Sequence, residues 1–176
     1  VPIIPRRSWT MDDIDAMVRA GILKEHERFE LIGGEIVPMS PKGAWHETVK
    51  KDLIRYWAKA LPNAIDMLTE TTLRVDERNF REPDFIFWPR TIPVKDIRAN
   101  DLLLLVEVSD SSLDYDLGAK AKAYAEWGVR DYWVISARSL VTRIHTRPAA
   151  GGYGSQRDAP HTQRLIPTAL PALAVT

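Results

Sequence analysis

Glu107 stands near the end of an otherwise apolar run, Leu102 to Val108. An uncompensated buried carboxylate is costly, so the group must be protonated, solvated in a cleft, paired with a cation or bound to a metal. An ion pair with a helical Lys or Arg is the plainest of these outcomes. Asp84, at the head of the segment DFIFW, offers a second carboxylate from a neighbouring strand. Two carboxylates delivered in this way can share a hard divalent cation such as Mg²⁺, which takes few protein oxygens and keeps several waters. That arrangement suits cleavage of a phosphodiester. A cation is also needed beside the attacking water. On the helix expected after Glu107, with about 3.6 residues per turn, Lys120 lies at an angle close to Leu117 and Tyr124, whereas Lys122 projects from the far side. Lys120 is therefore the candidate, although lysine stems also lie along apolar surface without catalytic duty.

The elements that must position these groups follow from caps and periodicity. Thr10 precedes MDDIDAMVRAG as a side-chain cap, with Asp13 at the third helical position, Ile14, Met17 and Val18 on one face, and Gly21 as the stop. In RFELIGGEIVPM, two apolar-rich arms flank Gly33-Gly34, which predicts a hairpin carrying Glu30 and Glu35. From Trp45 to Leu61, Val49, Leu53, Tyr56 or Trp57, and Ala60 recur at helical spacing, and Pro62 ends the helix. Lys50, Lys51, Arg55 and Lys59 fall largely off that face. With Glu47 and Asp52 among them they read as a solvated face, a weak hint of phosphate contact.

One strand is expected around Leu68 to Val75, another at PDFIFW, and a central strand, covered on both faces, at DLLLLVEVS. A helix over DYDLGAKAKAYAEWG, stopped by Gly128, leads to the strand DYWVI, and strand–helix–strand implies a parallel pair joined by a right-handed crossover. LVTRIHT and YGSQRD flank a Gly-rich turn, and the Pro-punctuated C-terminus offers short edge strands at most. Tyr124, Trp127, Tyr132 and Trp133 fit core packing better than base stacking. The sum is a mixed α/β sheet flanked by helices, whose strand ends are the default ligand site.

Composition bounds the rest. The 176 residues, 45% hydrophobic and 27% charged, suit a single domain over 1–176. The 24 basic and 24 acidic residues balance, which counts against a strongly basic nucleic-acid coat but leaves room for a local basic face. With no cysteine, disulfides, thiolate nucleophiles and Cys-based zinc sites are excluded. No membrane-length apolar stretch and no signal-like start is evident, so a cytoplasmic location is expected.

The segments FELIGGE, SPKGAWHE, EPDF, VEVSDSS and DLGAKAKAYAEWGVRDYWVI, in this order and spacing, resemble the Uma-two family of putative restriction endonucleases over most of the chain. That family is similar to the PD-(D/E)XK nuclease superfamily. The resemblance implies a restriction-endonuclease-like fold, a four-stranded mixed core sheet with flanking helices, and Asp84 and Glu107 as metal ligands. One position departs. Two residues after the glutamate stands Ser109, where the motif carries Lys, so the resemblance requires a migrated lysine, Lys120. Glu30 and His46 match positions in the resembling segments and are accessory candidates for a metal-bound water or a phosphate. By themselves, a histidine at a helix start is more often a surface or hydrogen-bonding residue, and a hairpin glutamate is usually solvated.

The expectation is a Mg²⁺-dependent endonuclease, with Mn²⁺ able to substitute, hydrolysing DNA as a homodimer. The alternative is a catalytically inactive nucleic-acid-binding or assembly module on the same scaffold, motivated by Ser109 and the zero net charge. Because a lone buried acid is a burden, Glu107→Gln is expected to be as stable as the parent without metal, or more so, yet inactive. A far lower melt without metal would make the acid a structural ion-pair partner and remove the main support of the nuclease reading.

Overall fold

In the computed structural model, which describes residues 7–24 and 26–175, the expected N-terminal cap forms. Asp13 donates its N–H to Thr10 Oγ1 at 3.2 Å, and Asp13 Oδ2 accepts the Thr10 N–H at 2.9 Å. This reciprocal pair satisfies donors that a helix start leaves open. It opens α1 (Met11–Arg19), whose Ile14 is buried. Gly33 and Gly34, at φ +58° and +83°, turn β1 (Phe29–Ile32) into β2 (Glu35–Pro38) as expected. A Cβ on Gly34 would lie 1.9 Å from Ser8 Oγ, so that position needs glycine for space as well as for backbone angle.

These elements belong to the first of two compact units, Val1–Pro41 with Thr72–Glu82. Its antiparallel sheet runs β2-β1-β5-β4, where β4 is Leu73–Asp76 and β5 is Asn79–Arg81. Ile14, Leu31 and Phe80 form its core, with Phe29 edge-on to Phe80 at 5.6 Å.

The second unit, Lys42–Thr71 with Pro83–Thr176, holds α2 (Ala44–Ala60) and a six-stranded sheet ordered β10-β9-β8-β7-β6-β3. The strands are β3 (Ile65–Leu68), β6 (Phe85–Pro89), β7 (Leu104–Ser109), β8 (Asp131–Ser136), β9 (Thr142–Ala149) and β10 (Gly152–Ala159). β7 and β8 are parallel, and the other pairs are antiparallel. All six residues of β7 are buried, which explains why its sequence is a nearly continuous apolar run. The sheet has two strands more than the resemblance implies. β9 and β10 form the expected hairpin, and the C-terminus contributes a single bridge, Leu165 to Val175.

Alternation along β7 sorts its side chains between two faces. Leu104, Val106 and Val108 join the cluster that holds Leu53 and Trp57 of α2 with Phe85 and Phe87. Trp57, not Tyr56, is the buried aromatic of α2; it stands edge-on to both phenylalanines at 5.1 Å. Leu105 and Glu107 point the other way, and Tyr124 meets Glu107 there.

Two expectations are corrected. The strand foreseen over Leu68 to Val75 is two strands in two sheets, because the chain turns at Glu70, φ +51°. Glu70 donates its N–H to Pro83 O at 3.1 Å and its carboxylate takes two lysines, so tertiary ties override the β propensity of Thr71 and Thr72. The helix after β7 is interrupted: α3 (Leu113–Tyr115) passes through a π turn, Asp116–Lys120, into α4 (Ala121–Glu126). Asp116, Lys120 and Ala121 are buried, whereas Leu117, expected on the inner ridge, is half-buried.

Candidate active site

Asp84, immediately before β6 and 3% exposed, gathers contacts from three directions. His46 Nε2 lies 3.0 Å from both carboxylate oxygens, and the Val108 N–H donates to Oδ2 at 2.8 Å. Lys42 Nζ is in direct contact with Oδ1, and Lys50 Nζ is 3.9 Å away. Burial alone would raise the Asp84 pKa, but the His46 bond and the Lys42 charge outweigh it and hold the group below the usual carboxylate range.

Glu70 shares the same cations, with Lys42 Nζ at 2.8 Å from Oε1 and Lys50 Nζ at 2.8 Å from Oε2. Burial opposes its ionisation, yet the two lysines bring its pKa down to about 2. Lys42 is correspondingly raised: burial pulls it down, and the charges of Asp84 and Glu70 more than compensate. The chain reaches this place through Gly43, the N-cap of α2, where a Cβ would lie 2.8 Å from Asp110 Oδ2. Asp110 is itself held by Arg138 Nε at 2.6 Å.

Glu107, 4% exposed, answers the question its apolar run poses. Lys120 Nζ and the Tyr124 hydroxyl both donate to Oε1 at 3.0 Å. Lys120 also lies 3.5 Å from Asp116 Oδ1. Ser109 and Ser112 donate their hydroxyls to Asp116 Oδ2, each at 2.6 Å. The serine at the departing motif position thus braces the aspartate beside Lys120. The Tyr132 hydroxyl completes this side by donating to the Asp116 carbonyl at 3.0 Å. Burial, then the charges of Glu107 and Asp116, push the Tyr132 phenol well above its ordinary pKa, and Asp84 adds to the push.

The two carboxylate clusters are tied through β7: the residue after Glu107 is Val108, whose N–H bonds Asp84. Of the residues singled out in the sequence, His46 joins Asp84, and Lys120 joins Glu107 while Lys122 faces outward at 62% side-chain exposure. Glu30 belongs to the first unit, and it is buried where solvation was expected. Its Oε1 accepts the Glu82 N–H at 3.3 Å, and Arg81 Nε lies 3.8 Å from Oε2. Lys50 is a correction: read as part of a solvated face, it is 4% exposed and paired with Glu70. Lys42, Glu70, Tyr124 and Asp116 were not foreseen as site residues. The only forewarning was that Tyr124 shares the Lys120 face; Lys42 and Glu70 meet across long sequence separation and leave no local pattern.

Among the described residues, no group of three or more His, Asp or Glu side chains is arranged to hold a metal. Asp84 and Glu107 each already hold an ammonium, so their oxygens are charge-compensated without a metal, and an ion would have to compete with Lys42 and Lys120 for them. The ion that two such carboxylates could hold is a sparsely ligated Mg²⁺, which takes one or two carboxylates and completes its shell with water and phosphate oxygens. No helix among the described residues is long and apolar enough to cross a membrane.

A family model described as "Putative restriction endonuclease" matches residues 13–176, and its description supports a nuclease-like function. A search of curated proteins finds no match. Among solved structures, a putative nuclease of the DUF820 family from Anabaena variabilis is similar at a TM-score of 0.68 and 12% identity, covering 90% of this chain and 88% of that one. At that identity the likeness establishes a shared fold. The type IIG restriction endonuclease BpuSI is similar over 61% of this chain and 13% of its own length, with a TM-score of 0.38 and 15% identity.

Proposed function

From the premise that the chain belongs to the Uma2 family of putative restriction endonucleases, we propose that it is a Mg²⁺-dependent DNA endonuclease, with Mn²⁺ as an alternative ion. The observation that carries this reading is the pair of buried carboxylates at β6 and β7, each neutralised by a lysine and joined through the Val108 N–H. Asp84 and Glu107 would hold the ion. When bound, the ion supplies positive charge against the negative charge that builds on the phosphorane-like transition state.

The chain's own groups do the positioning. Tyr124 and Lys120 fix one oxygen of Glu107, so the carboxylate keeps one orientation. His46 and the Val108 N–H do the same for Asp84. Lys120, braced by Asp116, presents an ammonium that orients the attacking water and stabilises it as hydroxide. The water gives up one proton to solvent as its oxygen bonds phosphorus, one P–O ester bond breaks, and the leaving oxygen takes a proton from solvent. The reading includes a homodimer, since cutting both strands of a duplex is simplest with two sites about a two-fold axis. Light scattering with and without DNA checks that, and only monomer at micromolar concentration would reject it.

The deciding experiment is plasmid and oligonucleotide cleavage in Mg²⁺ and in Mn²⁺. The wild type should cut, Asp84→Asn, Glu107→Gln and Lys120→Met should fall to background, and Lys122→Met should cut normally. Cleavage that survives Asp84→Asn and Glu107→Gln would overturn the assignment. A second reading, a nucleic-acid-binding or assembly module without catalysis, is favoured by Ser109, whose hydroxyl is spent on Asp116. DNA binding with no metal-dependent cleavage at any ion concentration would select it.

A further inference from the structure

Lys42 and Lys50 hold the same two carboxylates but not in the same way. Lys42 Nζ touches Asp84 Oδ1 directly and also reaches Glu70 Oε1 at 2.8 Å. Lys50 is bonded to Glu70 Oε2 at 2.8 Å and stands off Asp84 at 3.9 Å. Two ammoniums thus face two carboxylates, and the cluster is balanced without any metal. A divalent cation arriving at Asp84 upsets that balance, because an ammonium at contact distance competes for the same oxygen and repels the newcomer.

The geometry also provides an exit. Lys42 precedes the α2 N-cap and so lies outside the helix, whereas Lys50 is fixed within it. Glu70 already accepts Lys42, so the lysine can leave Asp84 without becoming an unpaired buried charge. Glu70 is held in place by the Pro83 carbonyl and an uncommon left-handed backbone, φ +51°.

Resting on the reading of Asp84 as a metal ligand, we propose that Lys42 is the resident counter-ion of Asp84, displaced onto Glu70 when a divalent cation binds, and that this exchange sets the metal affinity of the site. In the metal-free protein the aspartate is kept neutralised and in place. Metal capture costs the Lys42–Asp84 contact, so the affinity is lower than the carboxylates alone would give.

The test is calorimetric titration of the metal-stripped full chain with MnCl₂ and MgCl₂, beside thermal melts in EDTA that verify folding. Lys42→Met should tighten Mn²⁺ binding by about tenfold, since a unit charge at contact is removed from a partly buried site. Lys42→Arg, which restores the charge, should return the affinity toward wild type. Glu70→Gln should weaken binding by several-fold, because the displaced ammonium loses its acceptor, and this arm stands even if Lys42→Met fails to fold. Asp84→Asn should abolish binding in either background. If Asp84→Asn abolishes binding while Lys42→Met leaves the affinity unchanged or weaker, or Glu70→Gln leaves it unchanged, the counter-ion exchange is overturned and the assignment of Asp84 as ligand stands. If neither the wild type nor Lys42→Met binds metal through Asp84, the assignment beneath it fails.

Discussion

Glu107 and Lys120 form a buried pair whose strength can be measured without any nuclease assay. Removing one partner of such a pair strands the other charge, at a cost of about 3–5 kcal/mol. Glu107→Gln should cost less, because the amide oxygen can still accept from the Tyr124 hydroxyl and Lys120 keeps Asp116 Oδ1 at 3.5 Å. A loss of about 2 kcal/mol follows, or roughly 4–8 °C in melting temperature for a chain of this size. Lys120→Met should cost the full amount, since Glu107 and Asp116 then share a buried region without their ammonium. The double variant should recover part of the loss, because a neutral pair of similar volume carries no stranded charge. The coupling should exceed about 1 kcal/mol in favour of the double variant. Urea and thermal melts in EDTA give the cycle. Single variants at wild-type stability, or a double variant equal to the sum of the singles, would refute the pairing.

This revises what the isolated sequence suggested for Glu107→Gln, namely unchanged or increased metal-free stability. That expectation assumed a lone acid, and Lys120 removes the assumption. A lower melting temperature in EDTA is what the ion pair alone produces, so it marks Glu107 as a structural partner of Lys120 and gives the metal site no support. The discriminating quantity becomes the additional stabilisation by Mg²⁺ or Mn²⁺, present in the wild type and absent from the variant.

Two further outcomes concern pH. His145, fully buried and stacked on Tyr132 at 5.2 Å, has its pKa lowered to about 4 by burial, so the folded state favours the neutral ring. Its contribution is complete above the unfolded value of about 6.5 and is lost as pH falls toward 4, a change of about 3 kcal/mol. Denaturant melts of His145→Phe should show a flatter stability profile across that window, and a slope equal to wild type would reject the assignment. Glu70, brought down to about 2 by Lys42 and Lys50, contributes stability that is present above its unfolded value and lost as pH falls from about 4.5 toward 2. The side chain is 35% exposed, so screening reduces the effect to about 1–2 kcal/mol. Glu70→Gln should remove that part of the acid limb in the same melts, and half a molar salt should shrink it in the wild type; an unaltered limb in the variant would contradict it.

The elements were legible where one local rule decided them. Thr10 with Asp13, Gly33 with Gly34, and the apolar run into Glu107 each encode their structure within a few residues. Lys120 was also legible, because helical spacing puts it near Tyr124 and away from Lys122. The π turn was not: Gly118 weakens the helix there but does not by itself specify the turn, within which Asp116 and Lys120 are both buried. The Asp84 surroundings were the least legible part. Lys42 and Lys50 sit on one stretch of chain, Glu70 on a turn between two sheets, and their agreement is visible only when the fold brings them together.

Ser109 joins the legible and illegible parts. Its position at the end of β7 is where a lysine is expected from the resemblance, and on sequence alone the serine reads as a loss. In the fold its hydroxyl and that of Ser112 bond one oxygen of Asp116, leaving the other oxygen toward Lys120. A lysine arriving from the helix needs such a support, because a long flexible stem must be immobilised to present a charge at one place. On that argument Ser109→Ala should not resemble Lys120→Met. It frees one hydrogen bond to Asp116, worth about 1.5–3 kcal/mol to a charged acceptor, and loosens the ammonium without removing it.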